Sequence, residues 1–365
     1  MGLKTNKVIQ IFVCGYILSV ILSNVFTQNL DEQVIKNFTA YQTKSGRKLW
    51  DLTAKQANIY KDNNLVKLKD IFIKFYDTKK KIKFVISTLK AQEGKINTDT
   101  NDFYTIGYTT VTNYDNEILY CFDLKYISSE DKIFTESNIK LIKEDTIITG
   151  EDLEASIDLK KILIKKNKIE IKNDTPKIYA DKVEIEKDKK ITLFEKNVKY
   201  TEQDLTILCD KLIKYDIENI IYSEGNIKLY SVTKSSEKIE INCDYSKYYK
   251  QDNKIELWTD KDNKVYVLHT DTNNFETEVF SDKILVNRNE RKIYFDSVFL
   301  KQKNNSILAQ SGIFNENLRE ISLDKGKMQY NTDNYILTFR AEKITLFLDT
   351  EKIILQDSVK GFLNL

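Results

Sequence analysis

Residues 180–200 read ADKVEIEKDKKITLFEKNVKY, and their outline returns from Cys209 as CDKLIKYDIENIIYSEGNIKLY. A motif built round a catalytic centre occurs once, whereas one that recurs is a structural unit being stacked. With Asp181 as a marker, Ile191 follows ten residues later, then Leu193 and Val198. Asp210 leads in the same way to Ile220, Tyr222 and Ile227, Asp282 to Ile293, Phe295 and Val298, and Glu342 to Ile353, Leu355 and Val359. Looser copies begin at Asp123, Asp152, Asp244 and Ser311. Successive markers lie about 29 to 38 residues apart, within the range of repeat architectures.

Inside a copy the alternation is strict. Val183 and Ile185 fall on one face and Lys182, Glu184 and Glu186 on the other. A polar turn over 187–190 follows, then Ile191 and Leu193 on either side of Thr192. Period two with one wet and one dry face predicts half-buried antiparallel strands. Gly225 supplies a turn where φ above zero is needed. The expectation is an all-β protein of repeated antiparallel strand pairs, as two long sheets or one sheet folded over. Its interior is apolar and its exterior rich in Lys and Glu. A solidly packed sandwich has the same pattern, and periodicity alone does not separate it from an open groove.

Composition narrows the function. In 365 residues, 41% hydrophobic content suffices for one large or two ordinary domains. Lys and Arg total 57 against 55 Asp and Glu, a balance that argues against a nucleic-acid partner. The blocks at 79–81 and 187–190 read as solvated turns. A single proline, Pro176, with plentiful Tyr and Phe, favours strands. His269 is the one histidine, so a metal centre or a Ser-His-Asp engine would rest on that imidazole alone; it reads as an exposed or packed strand residue. Cys14, Cys121, Cys209 and Cys243 show no C-x-x-C spacing. Cys209 and Cys243 hold equivalent places in successive repeats, which leaves a disulfide between them open. No nucleophile elbow, glycine-rich phosphate loop or metal-ligand cluster occurs, so no catalytic residue, metal or cofactor is expected.

At the N-terminus, Lys4 and Lys7 precede VIQIFVCGYILSVILSNVF, residues 8–26. That length predicts one membrane-spanning helix, oriented with its N-terminus in the cytoplasm and the remainder exported. Cleavage after Ser23 or Thr27 is the alternative to an uncleaved anchor. Val13 before Cys14 is too large for a lipoprotein signal.

Residues 46–57, GRKLWDLTAKQA, then VKLKDIFIKFY at 66–76 and LKAQEGKI at 89–96, resemble the opening of the LptC family, in which a membrane anchor precedes a G-x-x-x-W-x-L-x-A-x-x-A segment. From Ala180 onward the repeats are similar to the LptA or OstA-like domain, including GNI at 225–227. The two families are usually separate, shorter proteins, so the resemblance implies a fused arrangement joined near Pro176. It divides the chain into an anchor at 1–28, an LptC-like β-jellyroll at 29–175 and LptA-like repeats at 176–365.

What the resemblance implies is lipopolysaccharide transport by a non-enzymatic carrier with a taco-like fold, anchored in the inner membrane and exposed to the periplasm. Its partners would be lipopolysaccharide, an inner-membrane ABC transporter, and an outer-membrane translocon or separate LptA-like protein joined by end-to-end strand addition. For lipid contact the inward face of the clearest repeats supplies Val183, Ile185, Ile191, Leu193, Val198, Leu212, Ile220, Ile227, Leu229, Ile284, Val286, Ile293, Phe295 and Val298. The competing reading is a packed β-solenoid without lipid cargo, in which the same residues are core.

Overall fold

Antiparallel strands follow the alternation through nearly all of the residues described by the computed structural model, which are 8–13, 16–21, 32–60, 64–77, 84–144, 146–172, 176–232, 236–260, 262–331, 336–348, 350 and 352–364. By compactness the chain divides into two units, Met1–Asp174 with Asp181–Lys189, and Thr175–Ala180 with Lys190–Leu365. The strand Lys177–Ala180 pairs with Ile191–Glu202 in the second unit, while Lys182–Glu186 pairs with Lys161–Lys172 in the first.

Each long strand bends once near its middle. In the second unit Ile191–Glu202 pairs with Leu205–Tyr215 through Leu193↔Ile213 and Phe194↔Leu212. The register slips between Glu195 and Val198, then resumes at Val198↔Cys209 and Tyr200↔Ile207. The next two ladders slip at Leu208/Lys211 and at Glu224/Ile227. A bulge of this kind bends its strand, and residues there take left-handed backbone. Lys196, Asn197, Gly225, Asn226, Ser297 and Lys325 all have positive φ. Because the bends lie side by side, the sheet is creased. Every bent strand gives one limb to each of two facing walls. Wall A of the second unit carries 198–209, 227–232, 238–243, 265–281, 298–309, 326–331 and 336–341; wall B carries 211–224, 245–258, 283–296, 311–324, 343–348 and 352–356.

The recurring acid of the sequence motif belongs to this crease. Asp210 accepts a hydrogen bond from Asn226 Nδ2 at 2.6 Å, and a Cβ at Gly225 would stand 2.7 Å from the Asp210 carboxylate. Only glycine fits there. Asp244 accepts from the Asp260 amide at 3.2 Å. In the first unit Asp123 accepts from the Gly107 amide at 2.8 Å, again at a residue with positive φ. The marker therefore staples bent strands to one another, a role that spacing alone did not reveal.

The first unit is creased in the same manner, with 38–54, 71–77, 84–91 and 108–121 in one wall and 56–60, 64–69, 93–106 and 124–135 in the other. Its ladders slip at Ala91/Glu93 and Thr135/Asn138. Aromatic rings fill the space between its walls. Trp50 meets Phe103 edge-on at 4.8 Å, and Phe75 meets Tyr126 at 5.0 Å.

One expectation fails at the N-terminus. No helix among the described residues is long and apolar enough to cross a membrane. Val8–Val13 and Tyr16–Ile21 instead form an antiparallel hairpin, and the second of these strands pairs with Glu32–Lys44. An apolar run does not by itself separate helix from strand, and this one is rich in β-branched Val and Ile. Lys4, Lys7, Cys14, Ser23, Thr27 and the 79–81 lysine block lie outside the described residues.

Candidate functional site

Between the walls of the second unit lies a slot of about 510 Å³. Leu229, Ile239 and Ile241 line it from wall A, and Val286, Ile293 and Phe314 from wall B. These are alternate residues of paired strands. Register sets Leu229 opposite Ile241, Val286 opposite Ile293, and Ile293 opposite Phe314. A cavity of that size accommodates a small molecule or a stretch of hydrocarbon. Beside the slot, and sharing Ile239, Ile293 and Phe314 with it, Val267, Val279, Phe295 and Ile321 close around a space of only about 10 Å³.

The free edges form a mouth that is both charged and clasped. Across it Arg288, on wall B, pairs with Asp204, on wall A; Arg288 also donates to Tyr248 Oη at 3.2 Å and Asn253 Oδ1 at 3.1 Å. Lys250 meets Glu202 at 2.9 Å. Arg319 pairs with Glu237, which is fully buried and lies 3.2 Å from His269 Nε2. In each of these three clasps wall A supplies the acid and wall B the base. Burial acts to raise the Glu202 pKa, but hydrogen bonds from Tyr200 and Lys250 outweigh it and hold the carboxyl below its ordinary value. The mouth continues through Arg291, Lys292 and Glu316, with Arg291 3.9 Å from the Glu316 carboxylate.

The first unit shows the contrast. Gln42 accepts from Trp50 Nε1 at 2.5 Å and from Ser128 Oγ at 3.1 Å, tying one wall to the other over the aromatic cluster. Asn113 donates to the Asp158 carbonyl at 3.2 Å, and Glu117 pairs with Lys187. The 187–190 block, expected as a solvated turn, therefore places one lysine in a buried clasp.

Of the residues expected to face inward, Val183, Val198, Leu212, Ile227, Leu229, Ile284, Ile293, Phe295 and Val298 are buried. Val183 belongs to the first unit and the others to the second. Ile185 and Val286 are half-exposed, although register sets them opposite buried Ile162 and Ile293; Val286 is half-exposed because it lines the slot. Ile191, Leu193 and Ile220 are corrected. They share an outward row with Ile213 and Tyr215, while Phe194 and Ile221 take the inward places. The buried residues Phe194, Val198 and Tyr200 keep one parity through the bulge, so Ile191 and Leu193 fall on the outer face, and the adjacent pair Ile220-Ile221 leaves two phases open in the sequence.

No disulfide links Cys209 and Cys243, which are both free and buried. A third strand, Ile220–Val232, runs between theirs, so the backbones stand about two strand spacings, roughly 9 to 10 Å, apart, beyond disulfide reach. Burial pushes both thiols, and that of Cys121, up to about 12, which leaves them unreactive. His269 is packed, its ring 5.5 Å from Phe314. No cluster that could hold a metal ion occurs among the described residues.

The mouth residues escaped sequence reasoning because they sit in turns, outside the alternation. One signal was present. Arginine occurs only five times among the 57 basic residues, and three of those five, Arg288, Arg291 and Arg319, stand at this mouth. Arginine is preferred over lysine where a buried, multiply bonded cation is needed.

Comparison with known families matches residues 23–171 to the family described as LptC, lipopolysaccharide-assembly, LptC-related. No curated protein matches the chain.

Proposed function

We infer, from a chain whose residues 23–171 belong to the LptC-related family of lipopolysaccharide-assembly proteins, that the protein holds lipopolysaccharide by its acyl chains during transport across the cell envelope. The family acts in transport and not in enzymatic catalysis. The observation that carries the finer reading is the slot between the walls of the second unit, apolar inside and charged at its mouth. Hydrocarbon shielded from water contributes about 0.8 kcal/mol per buried methylene, so such a slot retains lipid without any reacting group. Sugars and phosphates would stay at the mouth.

The apolar stretch 8–26 supports attachment to the inner membrane, with the rest of the chain in the periplasm. A taco-like fold in both units, LptA-like repeats in the second, an inner-membrane ABC transporter as source and an outer-membrane translocon or LptA-like protein as recipient complete the pathway. Among the described residues strand Lys360–Asn364 pairs along one side, with Ile336–Phe347, and its other side is where such a recipient would add a strand.

A photo-crosslinking residue at Ile293 or Val286 tests the reading in cells, with Leu193 on the outer row as control. Capture of lipopolysaccharide at the first two and not at Leu193 is the expected result. Equal capture at all three, or none with folded protein, overturns it. The filled interior of the first unit favours a second reading, a packed β-protein without cargo, which predicts no lipid adduct in native mass spectrometry.

A further inference from the structure

The two arginine clasps beside the slot are built differently. Glu237 is fully buried and bonded to both Arg319 and His269. Asp204 is the reverse. It sits in the tight turn with Gln203, a residue of positive φ, and its side chain is 49% exposed against 13% for Arg288. Arg288 does not depend on Asp204 for its position, because Tyr248 and Asn253 accept hydrogen bonds from the same guanidinium. The cation is therefore fixed to wall B while its acid is carried on an exposed turn of wall A. Both line the slot, next to Ile293 and Phe314.

We propose that Arg288 reads the anionic head of a phosphate-bearing lipid, and that Asp204 occupies its place until that lipid arrives. This deepens the reading of the slot as a lipid holder and rests on it. The hydrocarbon lies against Ile239, Ile293 and Phe314 while the phosphate takes the guanidinium from Asp204. Exchange of one carboxylate for one phosphate keeps the arginine paired throughout, so the cation is never left bare in a half-buried place. Guanidinium suits either partner, since its fork matches carboxylate and phosphate alike. Loss of the Asp204 bond also unfastens the mouth at the moment the tail enters. The Glu237–Arg319 clasp stays shut and keeps the walls in register.

The full chain, in detergent below its micelle concentration, is titrated with dodecyl phosphate and with dodecanol, and both affinities are measured for each variant. The unaltered protein should prefer the phosphate by roughly tenfold, the worth of one charge-assisted hydrogen bond. Arg288→Gln should bring the ratio to about one by weakening the phosphate alone, and Arg288→Lys should restore part of it. Asp204→Asn should tighten dodecyl phosphate several-fold, since nothing competes for the guanidinium. That variant keeps the test decisive if Arg288→Gln fails to fold. Equal affinity of the unaltered protein for the two probes, or an unchanged ratio in Arg288→Gln or Asp204→Asn, overturns the role of Arg288 and leaves the slot as a lipid holder. Binding of neither probe overturns both.

Discussion

The two units are creased in the same way and filled differently. Between the walls of the first, Trp50, Phe75, Phe103 and Tyr126 interlock, and Gln42 ties the walls over them. Between the walls of the second, aliphatic residues and Phe314 leave a slot of about 510 Å³. One backbone plan therefore supports either a closed interior or an open one, and side-chain volume decides which. Rings span the gap; Ile, Leu and Val stop short of it near the mouth.

The contrast can be broken by measurement. Trp50→Ala removes the central ring of the filled interior and should cost about 3 to 5 kcal/mol, seen as a lower first transition in thermal unfolding. Lipid capture at Ile293 should survive in that variant, and its loss would mean that the two interiors are not independent. Glu237→Ala leaves Arg319 without its buried carboxylate and should cost about 3 kcal/mol. A paired substitution sharpens the difference in volume. Leu52→Trp overpacks the first unit at about 1 to 3 kcal/mol, whereas Ile293→Trp should cost less than about 1 kcal/mol because the slot receives the ring. The same Ile293→Trp should abolish lipid capture at Val286.

The next effect is one of acidity. Glu202 has a folded-state pKa below its ordinary value of 4.5. Its carboxylate therefore stabilises the fold above that value, and the contribution is lost as pH falls through the depressed folded pKa. Acid titration of Glu202→Gln against the unaltered protein should show a smaller loss of stability below pH 4.5, with the two curves parallel above it. The smallest effect belongs to the outer faces. Lys283 and Glu256 pair at 3.0 Å in solvent, and Lys283→Ala should shift stability by less than about 0.5 kcal/mol.

Much of this was legible in the sequence. Strict alternation around Val183, Leu212, Ile284 and Ile293 fixed both strand and face, since period two leaves little choice once one face is dry. The 29-residue echo of Asp181 at Asp210 announced a repeat. What it did not announce was the crease, because a bulge inserts a residue without changing composition; Ile191 and Leu193 alternate about Thr192 as an inward pair would, yet the inward parity of their strand is that of Phe194, Val198 and Tyr200. The N-terminal apolar run offered no phase at all, and the hairpin at Val8–Ile21 is the outcome that β-branching favours. The clasps were illegible for a different reason. Asp204 and Arg288 are 84 residues apart, and only the folding over of the sheet brings their turns to one mouth.

The crease also constrains how such a chain can lengthen or shorten in evolution. Within a unit, each bent strand crosses it once, so the chain passes from wall B to wall A and returns on the next strand. Loss of one strand would reverse that sense for everything downstream in the unit, putting acids where bases belong and parting the clasps. Duplication or deletion of two strands preserves it. Inheritance should therefore proceed in pairs, and related proteins should differ in size by whole multiples of the Asp181-to-Asp210 interval.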